Sequence, residues 1–200
     1  MRNILATLFI IAILSQNSFA QTTTTTNNIR PKALGVSFIL NDYATAQRIK
    51  NGSFEQVIRE KSFSKIGQMS PGLALTYFKG LQKHIDFAGT LAASFVNYPV
   101  SGRTSNSSDG FLLEADASVN LKMFSENYVF TPYIIAGVGA SKYKNYYGAF
   151  MPLGGGVKFN LFNEAAIFIT AQYRLGITPE TTANHFMFSF GIAGLIGGNN

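Results

Sequence analysis

The chain has 200 residues, a formal net charge of +6 and no cysteine. That length suits one domain, and the missing thiols exclude disulfides, an N-terminal lipidated cysteine, cysteine catalysis and thiolate metal sites. Charged residues make up 13%, about half the ~25% usual in soluble domains, so the outer surface is expected to face lipid rather than water.

Residues 1–20 have the pattern of a cleaved signal peptide: Arg2, an apolar run over 4–14, then Ser18-Phe19-Ala20 as a small-x-small cleavage site. The apolar run is too short to cross a bilayer as a helix. No later segment has a long uninterrupted apolar run, which argues against a helical membrane protein. Residues 21–32, rich in Thr and Asn, are expected to form a loosely ordered polar lead-in. A barrel is expected over 33–196 and a short tail over 197–200.

Eight strands are expected, at 33–43, 70–79, 83–98, 109–124, 129–142, 148–161, 164–176 and 184–196. Each reaches the ~9–11 residues that a tilted transmembrane strand needs. Side chains alternate across a strand, and the fourth segment shows this most clearly. Leu113, Ala115, Ala117, Val119, Leu121 and Met123 share one face, and Leu112, Glu114, Asp116, Ser118, Asn120 and Lys122 the other. In the first, Leu34, Val36, Phe38 and Leu40 oppose Gly35, Ser37 and Asn41; in the eighth, Phe186, Phe188, Phe190 and Ile192 oppose Met187, Ser189, Gly191 and Ala193. Gly137, Gly139, Gly154 and Gly156 fall on the inner face of the fifth and sixth, where small residues let a narrow barrel close.

Alternation alone does not say which face points inward, because a lipocalin-like barrel inverts the same pattern. Connection lengths favour the membrane form. Those after strands two, four and six read as tight, those after one, three, five and seven as mostly longer, which is the sorting of an outer-membrane barrel. Aromatics near the strand ends suggest two interfacial girdles: Tyr43, Tyr98, Phe111, Tyr143, Tyr146, Tyr147 and Phe150 at one end, and Tyr77, Phe78, Phe124, Tyr128 and Phe130 at the other. Within the first long connection, Ser53-Phe54-Glu55-Gln56 has capping-box spacing, predicting a short amphipathic helix over 53–60.

The polar faces carry Asp86, Glu114, Asp116, Lys122, Lys158 and Arg174, with His84 near one end. Unpaired ions in a tight lumen are costly, so a salt-bridged plug is expected: Glu114 and Asp116 with Lys158 or Arg174, and Asp86 with Lys122. Eight strands leave room for little beyond side chains, which argues against a general porin. Outside the lumen, Arg48, Lys50, Arg59, Lys61 and Lys65 crowd the first connection against Glu55 and Glu60, a candidate contact for anionic head groups.

No catalytic or cofactor pattern emerges. His84 and His185 are expected at opposite ends of the barrel, and Ser189 lies roughly 13 Å along the strand from His185, too far for a hydrogen bond within a triad. The glycine runs lack the following Lys-Ser/Thr of a phosphate loop. Two histidines without cysteine suggest no zinc site, and no aromatic-basic nucleic-acid motif is present. No enzyme activity, cofactor or metal is expected.

The segments 131–142, opening Thr131-Pro132-Tyr133, and 154–174, opening Gly154-Gly155-Gly156, resemble the fifth strand and following hairpin of small outer-membrane β-barrels of the opacity-protein and outer-membrane-protein-A types. The segment 71–80 is similar. The resemblance covers nearly all of 33–196. It implies an all-β, eight-stranded antiparallel up-and-down transmembrane barrel in the cell outer membrane, inserted by the outer-membrane assembly machinery. Members of such families serve as adhesins, envelope anchors or proteins of unknown role, so the resemblance implies architecture more than activity. One departure is that such barrels often end in an aromatic, whereas the last aromatic here is Phe190. The resulting expectation is a non-enzymatic barrel that meets a ligand or protein through its outer loops, with 101–109 a second contact candidate. The alternatives are a secreted lipocalin-like binder and a component of an envelope secretion or motility machine.

Overall fold

A computed structural model describes residues 29–96, 110–161, 165–178 and 180–196. The signal-peptide and tail expectations, residues 21–28 of the lead-in, Tyr98 and the contact candidate at 101–109 lie outside the described residues. Eight strands form one closed antiparallel barrel in sequence order: β1 Ala33–Asp42, β2 Ser70–Gln82, β3 Ile85–Val96, β4 Gly110–Lys122, β5 Phe130–Tyr143, β6 Tyr146–Leu161, β7 Ala165–Gly176 and β8 His185–Leu195. Closure runs through β1 against β8, with Phe38 opposite Phe190 and Ser37 opposite Gly191. No sheet edge is left open, as a hydrocarbon environment requires.

Burial follows the period of two. On β4, Leu112, Glu114, Asp116, Ser118, Asn120 and Lys122 are buried. Val119 and Leu121 point outward and are exposed, as are Leu34, Val36, Phe38, Leu73, Leu75, Leu91, Ile134, Val138, Phe190 and Ile192 on other strands. The outside is a continuous apolar wall and the inside is polar and ionic, the reverse of a lipocalin. So large an exposed apolar surface is costly in water and is the arrangement of a transmembrane barrel.

Small residues decide how the lumen fills. Phe168 on β7 lies opposite Gly191 on β8, and a Cβ on Gly191 would come within 2.6 Å of the Phe168 ring. Tyr133 on β5 lies opposite Gly156 on β6, where a Cβ would come within 2.8 Å of its ring. Each glycine vacates the inner face so that the ring opposite can lie across it, the packing by which aromatics compensate for glycine in sheets.

The connections differ from expectation in three ways. The β5–β6 link is a two-residue turn, Lys144-Asn145, with Lys144 at φ 52°. The β4–β5 link, expected to be tight, spans 123–129, so loop length sorts by end less cleanly than read. The first connection holds two helices rather than one: α1 Tyr43–Asn51, capped by Asp42 accepting from Thr45 N, and α2 Phe54–Arg59, capped by Ser53 accepting from Gln56 N. The first helix is polar on average and offers no apolar run to announce it. The girdles also shrink. Phe78, Tyr143 and Phe150 are buried in the lumen, and Tyr43 packs on His185 at 4.5 Å. Phe111, Tyr128, Phe130 and Tyr147 remain outward and exposed.

Val138 is outward, exposed and near the middle of β5. Val138→Arg should cost about 2–4 kcal/mol of barrel stability if this wall lies in hydrocarbon. Urea titration in lipid vesicles, read by the gel-mobility difference between folded and heated protein, measures it; an unchanged midpoint contradicts a lipid-facing wall.

Candidate functional site: two ionic clusters in the lumen

The buried charges separate into two groups. Near the end of the barrel opposite the chain termini, Arg174 on β7 places Nη1 2.7 Å from Glu114 Oε2 and Nη2 2.9 Å from Asp116 Oδ2, both on β4. Arg174 and Glu114 are almost completely buried. One guanidinium thus bridges two carboxylates that sit two residues apart on the same face, each taking a separate Nη of the planar arginine fork. The Arg174 guanidinium also stacks over Phe150, 4.7 Å from the ring centre. His185 closes this group, with Nε2 3.6 Å from Glu114 Oε1.

The second group lies near the termini. Lys122 Nζ is 2.7 Å from Asp86 Oδ1 and 2.6 Å from Glu126 Oε1. Lys158 Nζ is 2.5 Å from Glu126 Oε2. The expected pairing of Lys158 with Glu114 or Asp116 therefore does not form. Lys158 sits near the termini end of β6, opposite Thr131 at the start of β5, and Arg174 alone reaches the other carboxylates. Sequence reasoning missed Glu126 because it lies in a connection, where alternation carries no information. The 123–129 segment turns it inward, held by Asn160 Nδ2, which donates to the carbonyls of Glu126 and Tyr128.

Arg30 was missed for a similar reason. Within the segment expected to be a loose lead-in, it is 7% exposed, lies 3.7 Å from Asp86 and covers the Phe78 ring at 4.2 Å. Its carbonyl accepts from Gly80 N, and a Cβ on Gly80 would come within 2.5 Å of Arg30 N. Glycine at 80 is what lets this segment lie against the wall. His84, expected on the inner face, is exposed in the β2–β3 turn with Nδ1 3.2 Å from Lys122 O.

Between the clusters lies a neutral polar belt that includes Thr76, Thr90, Ser118, Asn120, Gln172 and Ser189, around a cavity of about 20 Å³, room for about one water. The lumen is therefore occupied along its length by side chains rather than by a pore. His185 faces Glu114, whereas Ser189 Oγ is 2.5 Å from Thr170 Oγ1. Among the described residues no group of three or more His, Cys, Asp or Glu is arranged to hold a metal.

The basic residues of the first connection do not act alike. Arg48 Nη1 donates to Ser62 O at 2.9 Å and its Nη2 contacts Gln68, so it braces the loop internally. Lys50, Arg59, Lys61 and Lys65 are exposed.

Against solved structures, the chain is similar to the outer membrane protein OprG from Pseudomonas aeruginosa, at 10% identity and a TM-score of 0.55, over 84% of this chain and 97% of that one. It is also similar to the N-terminal β-barrel domain of Pseudomonas aeruginosa OprF, at 10% identity and a TM-score of 0.50, over 81% and 96%. By fold, this chain is a small eight-stranded β-barrel like these outer-membrane proteins. The attachment invasion locus protein Ail of Yersinia pestis matches at 13% identity and a TM-score of 0.48, over 82% and 95%. No family model matches the sequence, and no curated protein does.

Two measurements probe the clusters. Replacing Arg174 with Met strands two buried carboxylates and should cost about 3–5 kcal/mol; a loss under about 1 kcal/mol in the urea midpoint contradicts the bridge. At the termini end, burial opposes the charge of Glu126, but Lys158 and the hydrogen bonds from Lys122 and Lys158 outweigh it and hold the carboxyl below its ordinary 4.5. A depressed carboxylate stabilises fully above its unfolded pKa and loses that contribution as pH falls through the folded value. Glu126→Gln should therefore cost about 1–3 kcal/mol at neutral pH and converge on the parent only once pH has fallen through the folded pKa, on the acid side of the ordinary 4.5.

Proposed function

We propose that this is a non-enzymatic outer-membrane barrel whose wall is a stable, non-conducting anchor and whose far end, away from the termini, presents the interaction surface. The observation that carries this reading is the filled lumen. Arg174 with Glu114 and Asp116 blocks one end, and Arg30, Asp86, Lys122, Glu126 and Lys158 crowd the other. A barrel so plugged is a scaffold, and what varies on a scaffold is its loops. With the termini in the periplasm, the helical first connection and the described part of the β7–β8 connection face outward. The lumen charges then serve stability, and the exposed cations of the first connection serve contact with anionic groups. Insertion by the outer-membrane assembly machinery and residence among outer-membrane lipids follow from the same reading.

Planar bilayer recording on the refolded chain should show no nanosiemens-scale steps. Such steps, surviving in the parent and unaffected by substitutions at Arg174, would replace the anchor with a porin.

A further inference from the structure

The outer wall is not uniformly convex. On the side formed by β6, β7, β8 and β1 it carries an apolar groove of about 460 Å³. Its floor is Gly155 opposite Ala171, two small residues side by side, and its sides rise at Phe38, Ile169, Phe188 and Phe190. Phe38 and Phe190 are directly opposed and about half exposed, so the walls stand while the floor sinks.

The groove continues into the first connection. Phe188 stacks on Phe186 at 6.2 Å, Phe186 meets Phe63 edge-on at 5.5 Å, and Phe63 meets Phe54 of α2 at 6.0 Å. Phe54 and Ile58 share one helix face and are more than half or about half exposed. The connection divides: at α1, Tyr43 packs on the buried His185 and beside Val96, Leu112 and Tyr143 at the mouth, whereas α2 and Phe63 pack by aromatic contacts on the outer wall at the head of the groove. The apolar face of this outer part is continuous with the lipid-facing surface. On the same connection Arg59, Lys61 and Lys65 are exposed. The acidic groups there are Glu55 and Glu60, the latter accepting from Gln56 Nε2 at 2.9 Å, and Asp42, which is buried as the α1 cap.

We propose that the groove and the first connection form one binding site for a membrane lipid whose phosphate head group carries net negative charge. The acyl chain lies over Gly155 and Ala171, and the phosphate meets Arg59, Lys61 and Lys65. This rests on the outward orientation proposed above. Two features select a lipid over a free polyanion: the apolar groove has no use for a soluble anion, and it is joined by contiguous aromatics to the cations. Arg48 is not part of the site because its guanidinium is spent within the loop.

The test is native mass spectrometry of the detergent-solubilised, refolded chain with added phosphatidylglycerol or phosphatidylcholine. Phosphatidylglycerol should be retained about tenfold better. The triple variant R59Q/K61Q/K65Q should abolish that preference while leaving phosphatidylcholine retention unchanged. Ala171→Leu, which fills the groove floor from an outward position, should reduce retention of both lipids. Equal retention of the two lipids by the parent overturns the proposal, as does full phosphatidylglycerol retention in Ala171→Leu, which would leave only charge attraction. Heat-modifiable gel mobility on the same samples keeps the two readings apart. If mobility is preserved without lipid preference, the lipid site fails and the barrel stands; if mobility is unchanged by heating, the barrel itself fails.

Discussion

The structure depends on pairing ions inside a tube too narrow to hydrate them. An ion in such a space, wrapped by a wall that faces hydrocarbon, is stable only with a partner at contact distance. Arg174 between Glu114 and Asp116 meets that condition with one guanidinium for two carboxylates. Lys122 and Lys158 on Glu126, with Lys122 and Arg30 on Asp86, meet it at the other end. The pairs link β4 to β7 across the lumen and β3 to its neighbour β4 along the wall. Such pairs are weak evidence for net stability against an apolar filling. What they determine is which arrangement of the strands leaves no charge stranded.

Sterics complete what charge begins. The lumen admits Phe168 and Tyr133 only because the residues opposite them are glycines, and it leaves space for little more than one water in the neutral belt. A pore would need those rings and both ionic clusters to move together. The same economy of small residues recurs on the outside with another result: Gly155 and Ala171 hollow the wall where neighbouring strands present Phe and Ile. Inside, a missing side chain is filled by the protein's own ring; outside, the hollow is left for the solvent of the wall, which is lipid.

The first connection joins these themes. Its two helices are fixed by side-chain caps, by Arg48 reaching Ser62, and by the Phe54–Phe63–Phe186 contacts. It is an ordered part of the barrel rim, apolar toward the wall and cationic toward solvent. An amphipathic element of that kind belongs at a membrane surface.

The sequence by itself determined the strands and their faces. Period-two alternation is a local property, so residues 112–122 announced their buried and exposed sides without any knowledge of neighbours. The low charge content indicated which side would be apolar, and the Ser53 cap marked α2 for the same local reason. Only the tertiary structure decided who meets whom. Closure set the register that gave Arg174 to Glu114 and Asp116 and denied them Lys158. Residues with no periodic signature, Glu126 in a connection and Arg30 in a polar lead-in, became lumen partners only when the chain folded back over the end of the barrel. Phe78, Tyr143 and Phe150 left the expected girdles because each falls on the inward parity of its strand, with Thr76, Ser141 and Pro152 respectively, and the lumen near the strand ends has room for their rings.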